Sequence, residues 1–273
     1  MQFVKPMPFE EAVSFLGNRS AIGSQMTSAE WQDVPVALKV RAEFSSEVES
    51  VRFLQRSRDW LGDFLSANRE TLPDGQTALA VGSRAKFVEL AREFAVAQGM
   101  GPLDPADAGT IKDITSERRL GLIFNVQTQQ ADDFGYFKQG MDSDVLNEFP
   151  AQRFIRVIDV KEPRSSHAQY EGQVYLKTDP IWVRINEDFG VPWGPWAWGC
   201  GHDVEDVDRT EAEDLGLVEP GETVVPEEKS FNDGLEASTR GIEPDLVAKL
   251  RDEFGDQIEI DEENEVMRWS DQN

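Results

Sequence analysis

The chain reads as an α+β protein: a mainly helical N-terminal half followed by a compact, strand-poor, aromatic-rich lobe. Three observations predict this. Apolar residues recur at three- and four-residue spacing through long stretches before residue 131. The best alternating, β-branched run, Phe154-Ile155-Arg156-Val157-Ile158-Asp159-Val160, comes only after them. Four of the seven tryptophans, two of the three tyrosines, both histidines and the single cysteine crowd between Pro163 and Asp203.

Residues 1–27 read as an N-terminal arm. It carries a short helix over Glu10–Leu16, since Phe9, Val13 and Leu16 share a face and Gly17-Asn18 ends it. A helical region over 28–108 follows. Thr27-Ser28-Ala29-Glu30 is a capping box, in which a hydroxyl and a carboxylate satisfy each other's backbone N–H groups. Phe44, Val48, Val51, Leu54, Leu61 and Leu65 then predict a helix from Val36 to Ala67. A competing alternation, Val34, Val36, Leu38, Val40 and Ala42, would make its first residues extended. Pro73-Asp74-Gly75 is a turn, because Pro fixes one torsion and Gly accepts a positive one. A second helix is expected over Ser83–Ala97, with Phe87, Leu90, Ala91 and Phe94 on one stripe, and Gly99-Met100-Gly101-Pro102 stops it.

Residues 109–220 form the next expected piece. Asp113 to Glu117 supplies helix-start chemistry, and Leu120, Ile123, Phe124 and Val126 carry the helix on to Ala131 with a glutamine-rich opposite side. A short helix around Val145–Glu148 breaks at Pro150. The strand Phe154–Val160 follows, with Val174-Tyr175-Leu176 and Trp182-Val183-Arg184-Ile185 as short partner strands. A short helix within Asp208–Leu217 is stopped by Gly216. Residues 221–273 are an acidic C-terminal extension with a helical piece on Leu246, Val247, Leu250 and Phe254. A hairpin of Ile258–Ile260 with Val266–Trp269 completes it, the whole folded back on the body.

The 273 residues suffice for a buried core, and 39% hydrophobic content marks a folding sequence. A formal charge of −25 predicts repulsion from nucleic acid and from anionic membranes, so direct nucleic-acid binding is not expected. One cysteine makes no internal disulfide, which suits a reducing cytoplasm. The N-terminus lacks a basic stretch followed by an apolar run, so no secretory signal is read there. Nowhere do eighteen apolar residues run together, so no membrane span is expected.

His167, Cys200 and His202 are the side-chain types that bind zinc, and the Cys200-x-His202 spacing places two ligands on one turn. Against a metal stand the long gap from His167 and the lack of a second cysteine pair. The plain reading makes Cys200 a small buried residue and both histidines hydrogen-bonded structural groups. A Cys–His nucleophile pair oriented by Asp203 or Asp206 is formally available, but no oxyanion loop or strand-turn-helix elbow accompanies it. No phosphate-cradling Gly-x-x-x-x-Gly-Lys occurs, and no cofactor is expected. Adjacent acids such as Asp132-Asp133, Glu205-Asp206 and Glu262-Glu263 read as a solvated charged face. Arg153, Arg156, Lys161 and Arg164 place positive charge just ahead of the aromatic stretch, where pairing within the chain is the default.

The ordered set Arg164-x-x-His167, Gly172, Asp179-Pro180-x-Trp182, and the run Pro192-Trp193-Gly194-Pro195-Trp196-Ala197-Trp198 closing on Gly199-Cys200-Gly201-His202-Asp203-Val204 resembles the phage Mu F-like minor head proteins. Those are also called head morphogenesis proteins, and the likeness extends from about Thr110 to Leu217. It departs at the end, where many of them have Cys-x-Cys and this chain has Cys200-Gly201-His202. The resemblance implies a virion structural protein without catalytic residues, located in the head or at the head–tail interface and in the host cytoplasm during assembly. It implies partners among portal, capsid and neck proteins, with a homo-oligomer also open. Two other classes remain: a zinc- or thiol-dependent enzyme on His167, Cys200 and His202, and an acidic effector that imitates DNA.

Overall fold

The computed structural model describes residues 10–34, 39, 42–43, 45, 47–67, 69–71, 77–79, 82–158, 165–186, 189–197, 201–226, 236–239 and 244–269. The chain is α+β, with helices dominating its N-terminal half. It divides into two compact units, residues 1–131 with 232–273, and residues 132–231.

In the first unit, α1 (Glu10–Gly17) forms where the sequence predicts it. The strand β1 (Ser20–Ala21) pairs in parallel with β2 (Ala42–Glu43). Between them α2 (Ser28–Gln32) begins with the predicted capping box: Glu30 N donates to Thr27 Oγ1 at 3.3 Å, and Thr27 N donates to Glu30 Oε2 at 2.8 Å. A cap of this kind is worth about 1 kcal/mol. Glu30 also accepts from Lys249 Nζ at 2.6 Å. With Lys249 first and Thr27 second, these hydrogen bonds hold its carboxyl down to about 2.

Of the helix expected from Val36 to Ala67, the described residues show α3 (Val51–Ala67) and, ahead of it, a helical Lys39. The chain is extended, not helical, at Ala42 and Glu43, which are both buried in the pairing with β1. Glu47 then takes φ 58°, which no α-helix interior accommodates. Ser50 restarts the chain by capping α3, its Oγ accepting from Phe53 N at 3.2 Å. Residues 35–38, 40–41, 44 and 46 of that stretch lie outside the described residues.

After α3 the strands β3 (Arg69–Thr71) and β4 (Thr77–Leu79) pair antiparallel. The expected turn at Pro73-Asp74-Gly75 lies outside the described residues. The helix α4 (Ser83–Ala97) matches its expectation and packs on α3. Trp60 meets Phe87 and Phe94 edge-on, with centroids 6.5 and 6.0 Å away, and Phe87 reaches Phe124 at 5.5 Å. Phe124 belongs to α5 (Glu117–Gly140), which runs past the expected end at Ala131. Its apolar stripe continues through buried Phe134 and Phe137 to Met141, so burial carries the helix on through the intervening polar residues.

From Asn232 onward the expected acidic C-terminal extension belongs to this unit, while residues 221–231 belong to the other, where Val224 is buried in the core. The helix α10 (Pro244–Phe254) and the sheet of β8 (Glu236–Ser238), β10 (Val266–Trp269) and β9 (Ile258–Asp261), in that order, are antiparallel-paired. Leu250, Ile258 and Met267 pack with Ile22, Met26 and Val34 in one cluster.

The 132–231 unit takes the last residues of α5 and then α6 (Ser143–Glu148), whose first N–H groups donate to the Asp142 side chain. Its antiparallel sheet has the order β6 (Val174–Leu176), β5 (Ala151–Arg156), β7 (His202–Val207). The expected strand Phe154–Val160 is thus displaced toward the N-terminus. Pairing starts directly after Pro150 and stops at Arg156, opposite the first residue of β7, so Val157 and Ile158 stand exposed; residues 159–160 lie outside the described residues. Alternation sorts the sheet into two cores. Ala151, Val207, Val174 and Leu176 join Phe137, Met141 and Leu146 on one face, while Phe154, Val204 and Tyr175 join Trp182 and Trp196 on the other. The helix α9 (Arg209–Asp214) follows β7 within the stretch where the sequence predicts a short helix, and the Asp208 side chain caps it.

One buried charge pair anchors the first unit. Arg19 Nη1 stands 3.3 Å from Glu43 Oε2 with the two side chains only 5% and 1% exposed, and Arg19 also donates to Gln127. Burial pushes the Glu43 carboxyl up to about 6, against the pull of Arg19 and Arg58. Arg19→Met strands the Glu43 charge and is expected to cost about 3–5 kcal/mol in urea unfolding, whereas the double change with Glu43→Leu recovers most of that loss. A double variant as unstable as the single one would refute the pairing.

Candidate functional site

The aromatic stretch between Ser165 and Val204 is assembled around Phe154 on β5. His202, on the neighbouring strand and on the same face, lies flat on the Phe154 ring, with centroids 4.7 Å apart and planes 8° apart. His167, on α7 (Ser165–Ala168), stands edge-on to both rings, 5.9 Å from Phe154 and 5.4 Å from His202. Trp196 closes a further side of Phe154 at 5.6 Å.

Each imidazole is fixed by a polar partner. His167 Nε2 lies 3.1 Å from the Ile185 carbonyl, which only accepts, so the ring proton is assigned to Nε2. His202 Nε2 lies 2.8 Å from Glu171 Oε1, and the same carboxylate binds Arg156 Nη2. The hydrogen bond from His202, then that from Arg156, hold the Glu171 carboxyl below its ordinary range. Glu171 belongs to the turn that joins α7 to β6, and Gly172 completes that turn with φ 76°. Only glycine takes that torsion without strain.

The Asp179-Pro180-x-Trp182 element was expected to lead into a strand, Trp182–Ile185. It forms instead the short helix α8 (Ile181–Ile185). Asp179 Oδ1 accepts from Ile181 N at 2.8 Å, which starts a turn of helix, and the three-residue spacing of Trp182 and Ile185 buries both. Trp182 Nε1 donates to the Leu176 carbonyl at 2.7 Å, while its ring meets Tyr175 at 5.8 Å and Trp196 at 5.4 Å. Asn186, wholly buried, donates to the Trp193 carbonyl at 2.5 Å and accepts from Phe189 N at 3.2 Å, pinning the loop that follows. Trp193 in turn packs on Phe134 and Phe137, each 5.1 Å away.

Of the three metal-ligand candidates, the structure brings His167 and His202 together, and Cys200 lies outside the described residues. Among the described residues no group of three or more His, Cys, Asp or Glu is arranged to hold a metal ion. Both Nε2 atoms are engaged, one by a carbonyl and one by a carboxylate. His202 Nδ1 is buried without a hydrogen-bond partner among the described residues. Of the basic residues ahead of the stretch, Arg153 bonds Glu205 and Glu211 across the sheet, and Arg156 bonds Glu171, so these two charges are spent within the unit. Sequence reasoning missed Glu171 and the central place of Phe154. The signal for Phe154 was present in the strand alternation, but Glu171 has no motif of its own.

Comparison of the chain with protein-family models, with curated proteins and with solved structures finds no match in any of the three. No helix among the described residues is long and apolar enough to cross a membrane.

Glu171 carries a pH signature. Its carboxyl lies lower in the folded chain than in the unfolded one, so its contribution is present above the unfolded value near 4.5 and is lost as pH falls through the folded value. Glu171→Gln is therefore expected to flatten the decline of Tm as pH falls below about 4.5. An unchanged acid limb, measured by circular dichroism, would count against the Arg156–Glu171–His202 linkage. Phe154→Ala removes the ring on which both imidazoles rest and is expected to cost about 3–5 kcal/mol.

Proposed function

We propose that the chain is a virion structural protein of the Mu F-like minor head type, acting in capsid assembly at the portal or head–tail junction by surface recognition and not by chemistry. The observation that carries this reading is how the shared pattern is used. Among its described members, His167, Gly172, Asp179, Trp182, Trp193, Trp196 and His202 serve one another as struts, caps and turn residues.

Such an arrangement favours a rigid knob over a reaction centre. A catalytic imidazole needs a ring nitrogen within hydrogen-bond reach of a substrate proton. Here both imidazoles are buried, with Nε2 committed to Ile185 and Glu171. A recognition surface needs side chains locked before the partner arrives, because ordering them on contact costs affinity. Tryptophans wedged against phenylalanines meet that requirement. The charge of −25 complements basic partner surfaces and keeps the chain clear of packaged DNA.

Mass spectrometry of particles purified from a host that carries this gene is expected to find the chain as a fixed-stoichiometry component, and deletion of the gene to leave heads incomplete or unjoined. Trp182→Ala is expected to reduce incorporation at least tenfold while the first unit's helices remain by circular dichroism. Intact, infectious particles without this polypeptide would defeat the proposal. So would a turnover that vanishes in His167→Ala or His202→Ala with the fold preserved.

A further inference from the structure

A second group of polar side chains within the 132–231 unit plays no part in the histidine cluster. The C-terminal part of α5 and the loop over residues 189–197 border a recess of about 20 Å³, whose polar lining comprises Asp133, Tyr136, Gln152, Trp196 and Asp203. Two atoms in that lining are buried and without a hydrogen-bond partner among the described residues: Asp133 Oδ2 and Trp196 Nε1. The whole Trp196 side chain is buried at 2% exposure, so no bulk solvent reaches its N–H.

Gly194 shows how close the two atoms come. The point where a Cβ on this residue would stand is 2.4 Å from Asp133 Oδ2 and 3.4 Å from Trp196 Nε1. Both atoms therefore border one small space, within reach of a single molecule bonded to each at about 2.8–3.0 Å. Any larger residue at 194 would drive a carbon into the carboxylate.

The chemistry of the walls selects the occupant. The indole N–H only donates, so a cation seated there would face a like-signed dipole. No Lys, Arg or His among the described residues lines the recess, which Asp133 and Asp203 both border, so an anion would find no countercharge there. What remains is a small neutral molecule that both accepts and donates, and a recess of this volume admits one water.

We propose that this recess is a built hydration site for a single water, which accepts from Trp196 Nε1 and donates to Asp133 Oδ2, tying the end of α5 to the aromatic loop. A proton linkage supports the geometry. Burial first, and then the charges of Asp203 on β7 and Asp132 on α5, raise the Asp133 carboxyl well above its ordinary range. Asp206, beyond Tyr136, has its own partner in Lys177 Nζ at 2.8 Å and so brings a neutralised charge. A carboxyl raised in the folded state costs stability as pH climbs through the interval between its unfolded and folded values.

A crystal structure of the full chain at better than roughly 2 Å tests the site. The expected result is one density peak at about 2.7–3.1 Å from both Asp133 Oδ2 and Trp196 Nε1, absent in Trp196→Phe. Three results overturn the proposal: a direct Nε1–Oδ2 hydrogen bond with nothing between, an ion ringed by oxygen ligands at about 2.0–2.6 Å, or a peak that stays in place in Trp196→Phe. Should that variant not fold, the unaltered chain still decides. In a ¹⁵N-edited NOE spectrum, the indole proton that contacts the Gly194 α-protons must show a cross-peak to a long-lived water, and its absence rejects the site. The outcome is independent of the assembly role, since neither experiment involves a particle.

Discussion

The stack of His202 on Phe154 is the contact on which the arrangement of the 132–231 unit rests. Phe154 sits on the central strand, so its ring position is set from two sides at once, by pairing with Val204 of β7 and by backbone hydrogen bonds with Gly172 and Gln173 just ahead of β6. Everything on that face of the sheet is then placed relative to the ring. His202 lies flat on it, His167 and Trp196 stand edge-on to it, and Trp182 leans on Trp196. Aromatic pairs of these geometries add roughly 0.5–1.5 kcal/mol each beyond their burial, so the cluster is held by summed contacts and not by any one bond. The polar bonds at its edge act differently: they fix which way each ring faces. Without Glu171 and the Ile185 carbonyl the same rings would pack with less definite orientation.

The two units solve the burial of charge by different routes. In the first, Arg19 and Glu43 are placed inside as a pair, with Gln127 and the Lys39 carbonyl accepting further bonds from the two Nη atoms. In the second, Lys177 is withdrawn from solvent against Asp206, while Asp133 is buried beside other acids and raised. A pair exchanges desolvation for attraction; an unpaired acid evades it by taking a proton. Most of the acids among the described residues need neither route because they lie on surfaces where water solvates them. The chain's large negative charge therefore describes its outside, and the few buried carboxylates carry structural information out of proportion to their number.

How much of this was legible in the sequence follows from the range of the forces involved. Capping and helix stripes are local, and both Thr27 with Glu30 and the run Ser83–Ala97 were readable. The strand at Ala42-Glu43 was present as an alternation, yet it competed with a helical spacing. What decided it was the distant pairing with Ser20-Ala21 and the burial of Glu43 against Arg19, neither of which has a local signature. Trp182–Ile185 failed differently: its β-branched composition favours a strand, and the Asp179 side chain overrides that preference with one hydrogen bond. In the histidine cluster, the histidines themselves drew attention by rarity. Glu171, which fixes one of them, is one acid among 52, and nothing short of the folded backbone picks it out.

The tryptophans follow from the same logic. A strand-poor lobe has few backbone ladders to rigidify it, and a three-stranded sheet leaves most of its connecting chain without regular partners. Large rings bury much apolar area for little lost rotamer freedom, so they stiffen irregular chain where a ladder is lacking. Asn186 and Asp179 then supply, from side chains, the hydrogen bonds that a strand or a long helix would have supplied from the backbone. Prolines between the rings narrow the alternatives further by fixing φ. A segment built this way holds its outer shape without help from a partner, which is the property a docking element needs and a substrate-closing loop must lack.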